Sequence, residues 1–217
     1  GGAVALGVLI FVRFSIQAVI LLPLVLLKGQ SLRLPKGILM WTLARTVLHI
    51  LGIGLMFTAL RYLPLADALA IAFVMPFIML LLGHYILGEE VGRQRMAACA
   101  VGFIGTMLVI QPNFAEVGLP ALLPLGVAVV FALFMLVTRK IAKQIDPITL
   151  QAISGLQASA VLLPALLMFH DYAGFEVVMP DAKTLWLLAL LGILGTVAHL
   201  AMTGSLRFAT TSTLAPM

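Results

Sequence analysis

The feature that most constrains this chain is a series of long apolar stretches, each closed by glycine, proline or charged residues. A helix crosses the apolar core of a bilayer, about 30 Å thick, with roughly 20 residues, and the stretches have this length. Divided at the breaks, the chain contains seven predicted complete crossings, at 3–27, 37–60, 63–87, 94–111, 118–138, 147–169 and 183–206. An eighth begins near residue 209. We therefore expect an all-α, multi-pass protein of the cell's inner membrane.

The composition excludes several other classes of protein. Only 10% of the residues are charged, whereas about 25% are charged in soluble domains. The net charge of +5 does not indicate a nucleic-acid partner, because the basic residues lie in short loops and form no continuous stripe. The single cysteine, Cys99, excludes a disulfide framework or a thiolate metal site. We expect the lipid bilayer as a partner, and no nucleic acid, metal or cofactor.

The loop charges predict the orientation of the crossings. Nine basic residues fall in alternate loops: Lys28, Arg33, Lys36, Arg93, Arg95, Arg139, Lys140, Lys143 and Arg207. In the other loops the only lysine and arginine residues are Arg61 and Lys183. Because cytoplasmic loops are enriched in lysine and arginine, the first crossing is predicted to run into the cytoplasm.

Two pairs of similar segments indicate an internal repeat. Residues 59–62 (ALRY) resemble 205–208 (SLRF), and residues 18–27 resemble 160–169 in the same order. The first three crossings then correspond to the sixth, seventh and eighth. Because equivalent crossings are five apart, an odd number, they run in opposite directions across the membrane. We expect inverted five-helix repeats, an architecture common in secondary transporters. The predicted repeats are 1–112, lacking its first helix, and 118–217, lacking the rest of its fourth helix and its fifth, so that ten crossings are expected in the intact protein.

The segment from Phe57 to Pro112 resembles a known family. Its FTALRYLPLADALAIAFVMPF, LGEE and GFIGTMLVIQP stretches, and SLRFATTSTLAPM at 205–217, resemble the paired-helix pattern of EamA-domain members of the drug/metabolite transporter superfamily. The resemblance covers nearly the whole chain. It implies ten helices, cytoplasmic termini and transport of a small metabolite, without indicating which one.

Charged residues within the crossings are the first candidates for function. Arg13 and Arg45 lie near the predicted midplane, where a charge costs about 2.5 to 3.5 kcal/mol on insertion scales and usually faces a bundle interior or cavity. Polar residues spaced by three or four positions extend each face. The predicted substrate-binding set is Arg13, Gln17, Arg45, His49, Gln151, Ser154 and His199. Two arginines favour a carboxylate or phosphate on the substrate, and pairing of Arg13 with Asp67 is the structural alternative.

Three further residues have predicted structural or coupling roles. Asp67 lies near the start of the third crossing, where a carboxylate suits the helix dipole. Pro76 lies in the middle of that crossing and predicts a kink toward a cavity. Glu89, in the LGEE turn, is predicted to anchor the interface with Arg93 or Arg95.

The small residues Ala98, Gly102 and Thr106 share one helix face and predict close helix packing within the chain, or secondarily at a homodimer interface.

These observations favour a secondary transporter that moves a small anionic or zwitterionic metabolite by alternating access of two inverted repeats. No catalytic motif such as HExxH, GxSxG or GxxxxGK[ST] is present, so we do not expect an enzyme. The alternatives are an intramembrane enzyme acting on a lipid-linked substrate and a non-transporting membrane scaffold. The sequence leaves open a proton or sodium ion as coupling ion, and a homodimer.

Overall fold

Helices make up the regular structure of the part of the chain that is described. The computed structural model describes residues 4–88, 90–110, 118–172, 174–176 and 180–208. The helices are α1 (Leu6–Leu27), α2 (Lys36–Ala59), α3 (Leu65–Ala72), α4 (Met75–Leu87), α5 (Arg93–Ile110), α6 (Leu122–Ala142), α7 (Pro147–Met168) and α8 (Ala182–Phe208). A 3₁₀ turn, Leu119–Ala121, leads into α6.

Six described segments are long and apolar enough to cross a membrane. They are Leu6–Leu27, Lys36–Ala59, Leu65–Ile86, Leu119–Ala142, Pro147–Met168 and Ala182–Phe208. The predicted crossing at 94–111 corresponds to α5, which begins with Arg93 and is not among the six. The start of the predicted eighth crossing lies outside the described residues. The prediction of an all-α, multi-pass membrane protein is confirmed.

Several helix ends fall where the sequence places its breaks. Gly29, after α1, and Gly88, after α4, have φ of 63° and 67°, a left-handed conformation that glycine adopts at little cost. The carboxylate of Asp146 caps α7 by accepting from Ile148 N–H at 3.0 Å. Before α8, hydrogen bonds from Thr184 lower the pKa of the Asp181 carboxyl.

Large apolar side chains cover much of the helix surfaces. Val19 on α1 and Val101 on α5 are 70% and 71% exposed, and Trp186 on α8 is 68% exposed. A soluble protein rarely exposes so much contiguous apolar surface, whereas the bilayer solvates it. Polar side chains such as Gln17, Arg45 and Gln151 are instead buried.

The described helices belong to two compact units. Unit 1 comprises residues 1–50 and 141–207, so it contains α1, the first part of α2, α7 and nearly all of α8. Unit 2 comprises 51–140 and 208–217 and contains the rest of α2 with α3 to α5 and most of α6. These units are defined by packing, and the division into sequence repeats at 1–112 and 118–217 stays a prediction.

In unit 1, α1 packs against α7 in antiparallel orientation. The residue pairing runs in opposite directions, because Ser15 meets Ser159 whereas Val25, further along α1, packs against Ala152. The first and sixth crossings are the pair that the sequence analysis predicts to be inverted repeat equivalents, and that equivalence stays a prediction. Gly155 permits close contact, since a Cβ there would lie 3.0 Å from the backbone N of Ala18.

Candidate functional site

The two arginines of the predicted crossings are both buried in unit 1. Arg13 lies in the first half of α1 with 5% of its surface exposed, and Arg45 lies in α2 with 0% exposed. Their guanidinium groups therefore do not face the acyl chains. Burying a charge is costly without polar partners, so polar groups should surround both guanidinium groups. The hydrogen bonds of the neighbouring side chains supply such groups.

Two glutamines connect α1 to α7 and α8. Gln17 Nε2 donates to the backbone carbonyl of Gln151 at 2.7 Å and to its side-chain Oε1 at 3.2 Å. Gln151 Nε2 in turn donates to the carbonyl of His199 at 3.0 Å and to Thr203 Oγ1 at 2.9 Å. Both glutamine side chains are fully buried. The result is a continuous series of hydrogen bonds across three helices.

Arg45 and its neighbour connect α2 to α7. Arg45 Nη1 donates to Ser154 Oγ at 2.7 Å, a short charge-assisted bond. Thr46 Oγ1 lies 3.0 Å from Gln157 Oε1 and donates to it. Since α2 also carries His49 one turn further on, this part of α2 presents polar groups to both α7 and α8.

A pair of histidines lies beside Arg13. His49 Nε2 is 3.0 Å from His199 Nε2 and 3.5 Å from Arg13 Nη2. A guanidinium can only donate, so a hydrogen bond from Arg13 requires His49 Nε2 to accept. Either imidazole can supply the hydrogen between His49 Nε2 and His199 Nε2, according to the tautomer of each ring.

The Arg13 guanidinium keeps a donor group for a further partner. Its Nη1 is buried and has no hydrogen-bond partner among the described residues, and none of the ion pairs described there includes Arg13. Phe14 lies beneath it, with the ring centroid 4.8 Å from Cζ. Gly195 on α8 allows the guanidinium to approach, since a Cβ there would be 3.1 Å from Arg13 Nε.

The membrane-spanning parts of unit 1 contain no aspartate or glutamate. The alternative partner of Arg13, Asp67, lies in the first turn of α3 in unit 2, so that pairing stays a prediction. The interior of unit 1 is thus a cationic, hydrogen-bonding environment that suits an acceptor such as a carboxylate, a phosphate or a carbonyl oxygen.

All seven residues of the predicted substrate-binding set lie in unit 1, and each contacts another member of the set. The sequence analysis did not assign Phe14, Gln157 or Thr203 to this set. Thr203 could have been found, because it lies four residues after His199 on the same face of α8. Gln157 carries the same signal, because it lies three residues after Ser154 on α7. Phe14 carries no such signal, and only helix packing brings its ring against His49.

The other three predicted residues lie elsewhere. Asp67 is half-buried at the start of α3 as expected, and Pro76 is the second residue of α4, directly after the break between α3 and α4. Glu89 lies outside the described residues, although the carbonyl of neighbouring Glu90 accepts from Arg95 Nη1 at 3.1 Å. Among the residues that the structure describes, no three histidine, cysteine or acidic side chains group as metal ligands would.

The amino-acid sequence is similar to those of several bacterial metabolite transporters. It is 30% identical to the riboflavin transporter of Vibrio cholerae over 94% of this chain and 67% of that protein. It is 34% identical to the riboflavin transporter of Rhizobium johnstonii over 74% of this chain and 51% of that protein. It is 25% identical to the S-adenosylmethionine uptake transporter of Rickettsia prowazekii over 85% of this chain and 60% of that protein. The chain thus spans between half and two thirds of the length of these relatives.

A solved crystal structure has the same fold. It aligns with 99% of this chain and 76% of its own, with a TM-score of 0.74 and 20% sequence identity. The model of the EamA-like transporter family matches residues 5–111. Together with the similarity to the Vibrio cholerae protein over most of both sequences, this match establishes the family. The chain belongs to the EamA-like transporter family of the drug/metabolite transporter superfamily.

Proposed function

We propose that this protein is a secondary transporter of a small anionic or zwitterionic metabolite, moved by alternating access of two inverted repeats. The observation that carries the proposal is the burial of Arg13 and Arg45 in spans without a carboxylate, with Arg13 Nη1 left without a described partner. A scaffold has no need of this arrangement, because a buried charge reduces stability unless it is paired.

The substrate group recognised by the arginines is proposed to be an oxygen acceptor. A guanidinium presents parallel N–H donors that match a carboxylate or phosphate bidentately. The carboxylate of S-adenosylmethionine and the carbonyl-bearing edge of riboflavin both offer such oxygens, and relatives of this chain are named as transporters of these compounds. Gln17, His49, Gln151, Ser154 and His199 would then set the shape and polarity of the site.

Substrate counterflow in proteoliposomes tests this proposal. The complete protein is reconstituted, and exchange of labelled riboflavin and labelled S-adenosylmethionine is measured in parallel. Arg13→Lys and Arg45→Lys keep the positive charge and remove the planar fork. Since a charge-assisted hydrogen bond contributes about 1.5 to 3 kcal/mol, each variant should reduce exchange by about tenfold or more. Arg33→Lys, at an exposed loop position of unit 1, is the matched control and should exchange normally.

The outcomes separate the alternatives. Exchange at the wild-type rate in both buried-arginine variants would show that the arginines do not recognise substrate. Absence of exchange by the wild-type protein, for these probes and for a panel of anionic and zwitterionic metabolites, would contradict transport. Chemical conversion of a lipid-linked substrate in the same vesicles would favour the enzyme, and inertness in both assays would favour the scaffold.

A further inference from the structure

Unit 2 contains a half-open cavity of about 570 Å³ whose lining is apolar. This volume is in the range of about 300 to 1,000 Å³ typical of small-molecule pockets. Four of its lining side chains are methionines: Met56, Met75, Met79 and Met135. Thioethers fill irregular space and make favourable contacts with aromatic rings, so the wall adapts to a flat ligand.

Aromatic side chains and few polar groups complete the wall. Phe73, Phe103 and Phe131 line the cavity, and Phe103 is held edge to face against Phe77, with centroids 5.9 Å apart. The hydroxyl of Thr106 donates to the carbonyl of Gly102 at 2.9 Å, so its hydrogen is already used. A wall of this kind favours an aromatic ring over an acyl chain, because phenyl rings make edge and face contacts with another π-system that an acyl chain does not offer.

The cavity lies at an interruption of a membrane-spanning helix. The span Leu65–Ile86 is broken between α3, which ends at Ala72, and α4, which begins at Met75. Pro76 has no N–H to donate to the preceding turn, and it lines the cavity together with Ala72 and Phe73. In secondary transporters, discontinuous helices of this kind typically form substrate sites, and irregular backbone is tolerated where it lines a cavity.

One side of the cavity is formed by small residues of α5. The sequence analysis predicted that Ala98, Gly102 and Thr106 pack closely within the chain or, secondarily, at a homodimer interface. Among the described residues all three line the cavity instead, and nothing lies within 4 Å of a Cβ added at Gly102. The small side chains therefore leave space for an occupant instead of closing it. The homodimer interface stays a prediction.

We propose that this cavity binds the fused heteroaromatic ring of the transported metabolite, a ring of flavin type. The inference rests on the proposed transport function and adds to it the class of substrate. The methionine and phenylalanine walls supply ring contacts, and the helix break at Phe73 and Val74 gives the wall its irregular backbone. The riboflavin and S-adenosylmethionine named for the relatives both contain a fused heteroaromatic ring.

Binding of lumiflavin, the flavin ring without its ribityl chain, tests the cavity independently of transport. The complete protein is purified in detergent, and binding is measured by equilibrium dialysis with flavin fluorescence as the readout. Gly102→Leu fills the cavity from a position where the new side chain meets no atom within 4 Å of its Cβ. Gly105→Leu is the matched control, since it lies on the same helix, has the same open surroundings and is not part of the cavity lining.

We expect wild-type protein and Gly105→Leu to bind lumiflavin with equal affinity, and Gly102→Leu to bind about tenfold or more weakly. Equal thermal unfolding of the two leucine variants establishes that the loss is not misfolding. No lumiflavin binding by the wild type, or equal binding by Gly102→Leu, overturns the proposal. So does a phospholipid that co-purifies with the wild type and is lost in Gly102→Leu while lumiflavin fails to bind. Failure of the arginine variants to impair counterflow would contradict substrate recognition by unit 1 while leaving this result standing.

Discussion

The interiors of the two compact units differ in kind. Eleven of the twelve buried polar or charged side chains among the described residues belong to unit 1, and the twelfth, Thr138, donates to the carbonyl of Phe134 on its own helix. Unit 2 instead contains methionine and phenylalanine walls around a cavity. In a bilayer both interiors are possible, because the hydrophobic effect does not drive helices together and packing and hydrogen bonds must do so.

The polar interior of unit 1 and the apolar interior of unit 2 suit different kinds of ligand group. In unit 1, directional bonds between α1, α2, α7 and α8 hold donors at defined positions, which suits recognition of a charged or polar group. In unit 2, dispersion contacts with flexible thioethers tolerate changes of shape, which suits an apolar ring. Three predictions test this contrast between the units, in order of decreasing effect.

The largest effect is expected from Gly155→Val in unit 1. A Cβ at this position would lie 3.0 Å from Ala18 N and 3.1 Å from Phe14 O, which are backbone atoms that cannot move aside. Separating α1 from α7 should lower the free energy of unfolding by about 3 kcal/mol, measured by denaturant titration in detergent. Gly204→Val on α8, where nothing lies within 4 Å, is the control. Equal destabilisation by both would mean that helix propensity, and not close approach, explains the loss.

The second prediction is a reciprocal exchange of similarly shaped side chains, Gln17→Met in unit 1 and Met79→Gln in unit 2. Gln17→Met removes two hydrogen bonds to Gln151 and should lower the free energy of unfolding by about 1 to 2 kcal/mol. Met79 is 2% exposed in an apolar wall, so Met79→Gln should cost about 1 to 3 kcal/mol for the buried amide. Both are measured by the same titration. A neutral Met79→Gln would show that the unit 2 wall is hydrated and that the contrast between the units is overstated.

The smallest effect concerns helix caps. Asp146 caps α7 in unit 1, whereas α3 and α4 in unit 2 have no side-chain cap. Asp146→Ala should lower the thermal stability by an amount equivalent to about 1 kcal/mol, while Asp146→Asn retains an acceptor for Ile148 N–H and should lose only a few tenths. If Asn and Ala behave alike, the contribution of Asp146 comes instead from its pairing with Arg207, 4.0 Å away.

Much of the helix pattern followed from the sequence because its signals are local. Gly29, Gly88 and Asp146 mark helix ends in both the sequence and the structure, since a left-handed residue or a cap acts within a single turn. The association of Arg13, Gln17, Arg45 and His49 with residues of α7 and α8 was also predicted. This prediction was possible because polar groups within a membrane-spanning helix usually face the interior of the helix bundle or a cavity.

The details of contact did not follow from the sequence. The contacts of His49 Nε2 depend on the approach of Arg13 and His199 from two other helices. The small face at Gly102 was predicted to pack closely within the chain or at a homodimer interface, and among the described residues it borders a cavity, because a small residue permits either a neighbouring helix or open space. Which of the two occurs depends on where α4 and α6 lie, and no spacing within α5 encodes that.

The amino-acid sequence was enough to predict a multi-pass bundle of apolar helices with arginines inside its spans, because helix length, charge and helix breaks depend on local chemistry in a bilayer. The tertiary structure was needed to show that unit 1 joins buried polar side chains of four helices by hydrogen bonds and that unit 2 leaves a methionine- and phenylalanine-lined cavity at a broken helix. Both outcomes depend on which faces of distant segments meet, and packing between helices selects those faces.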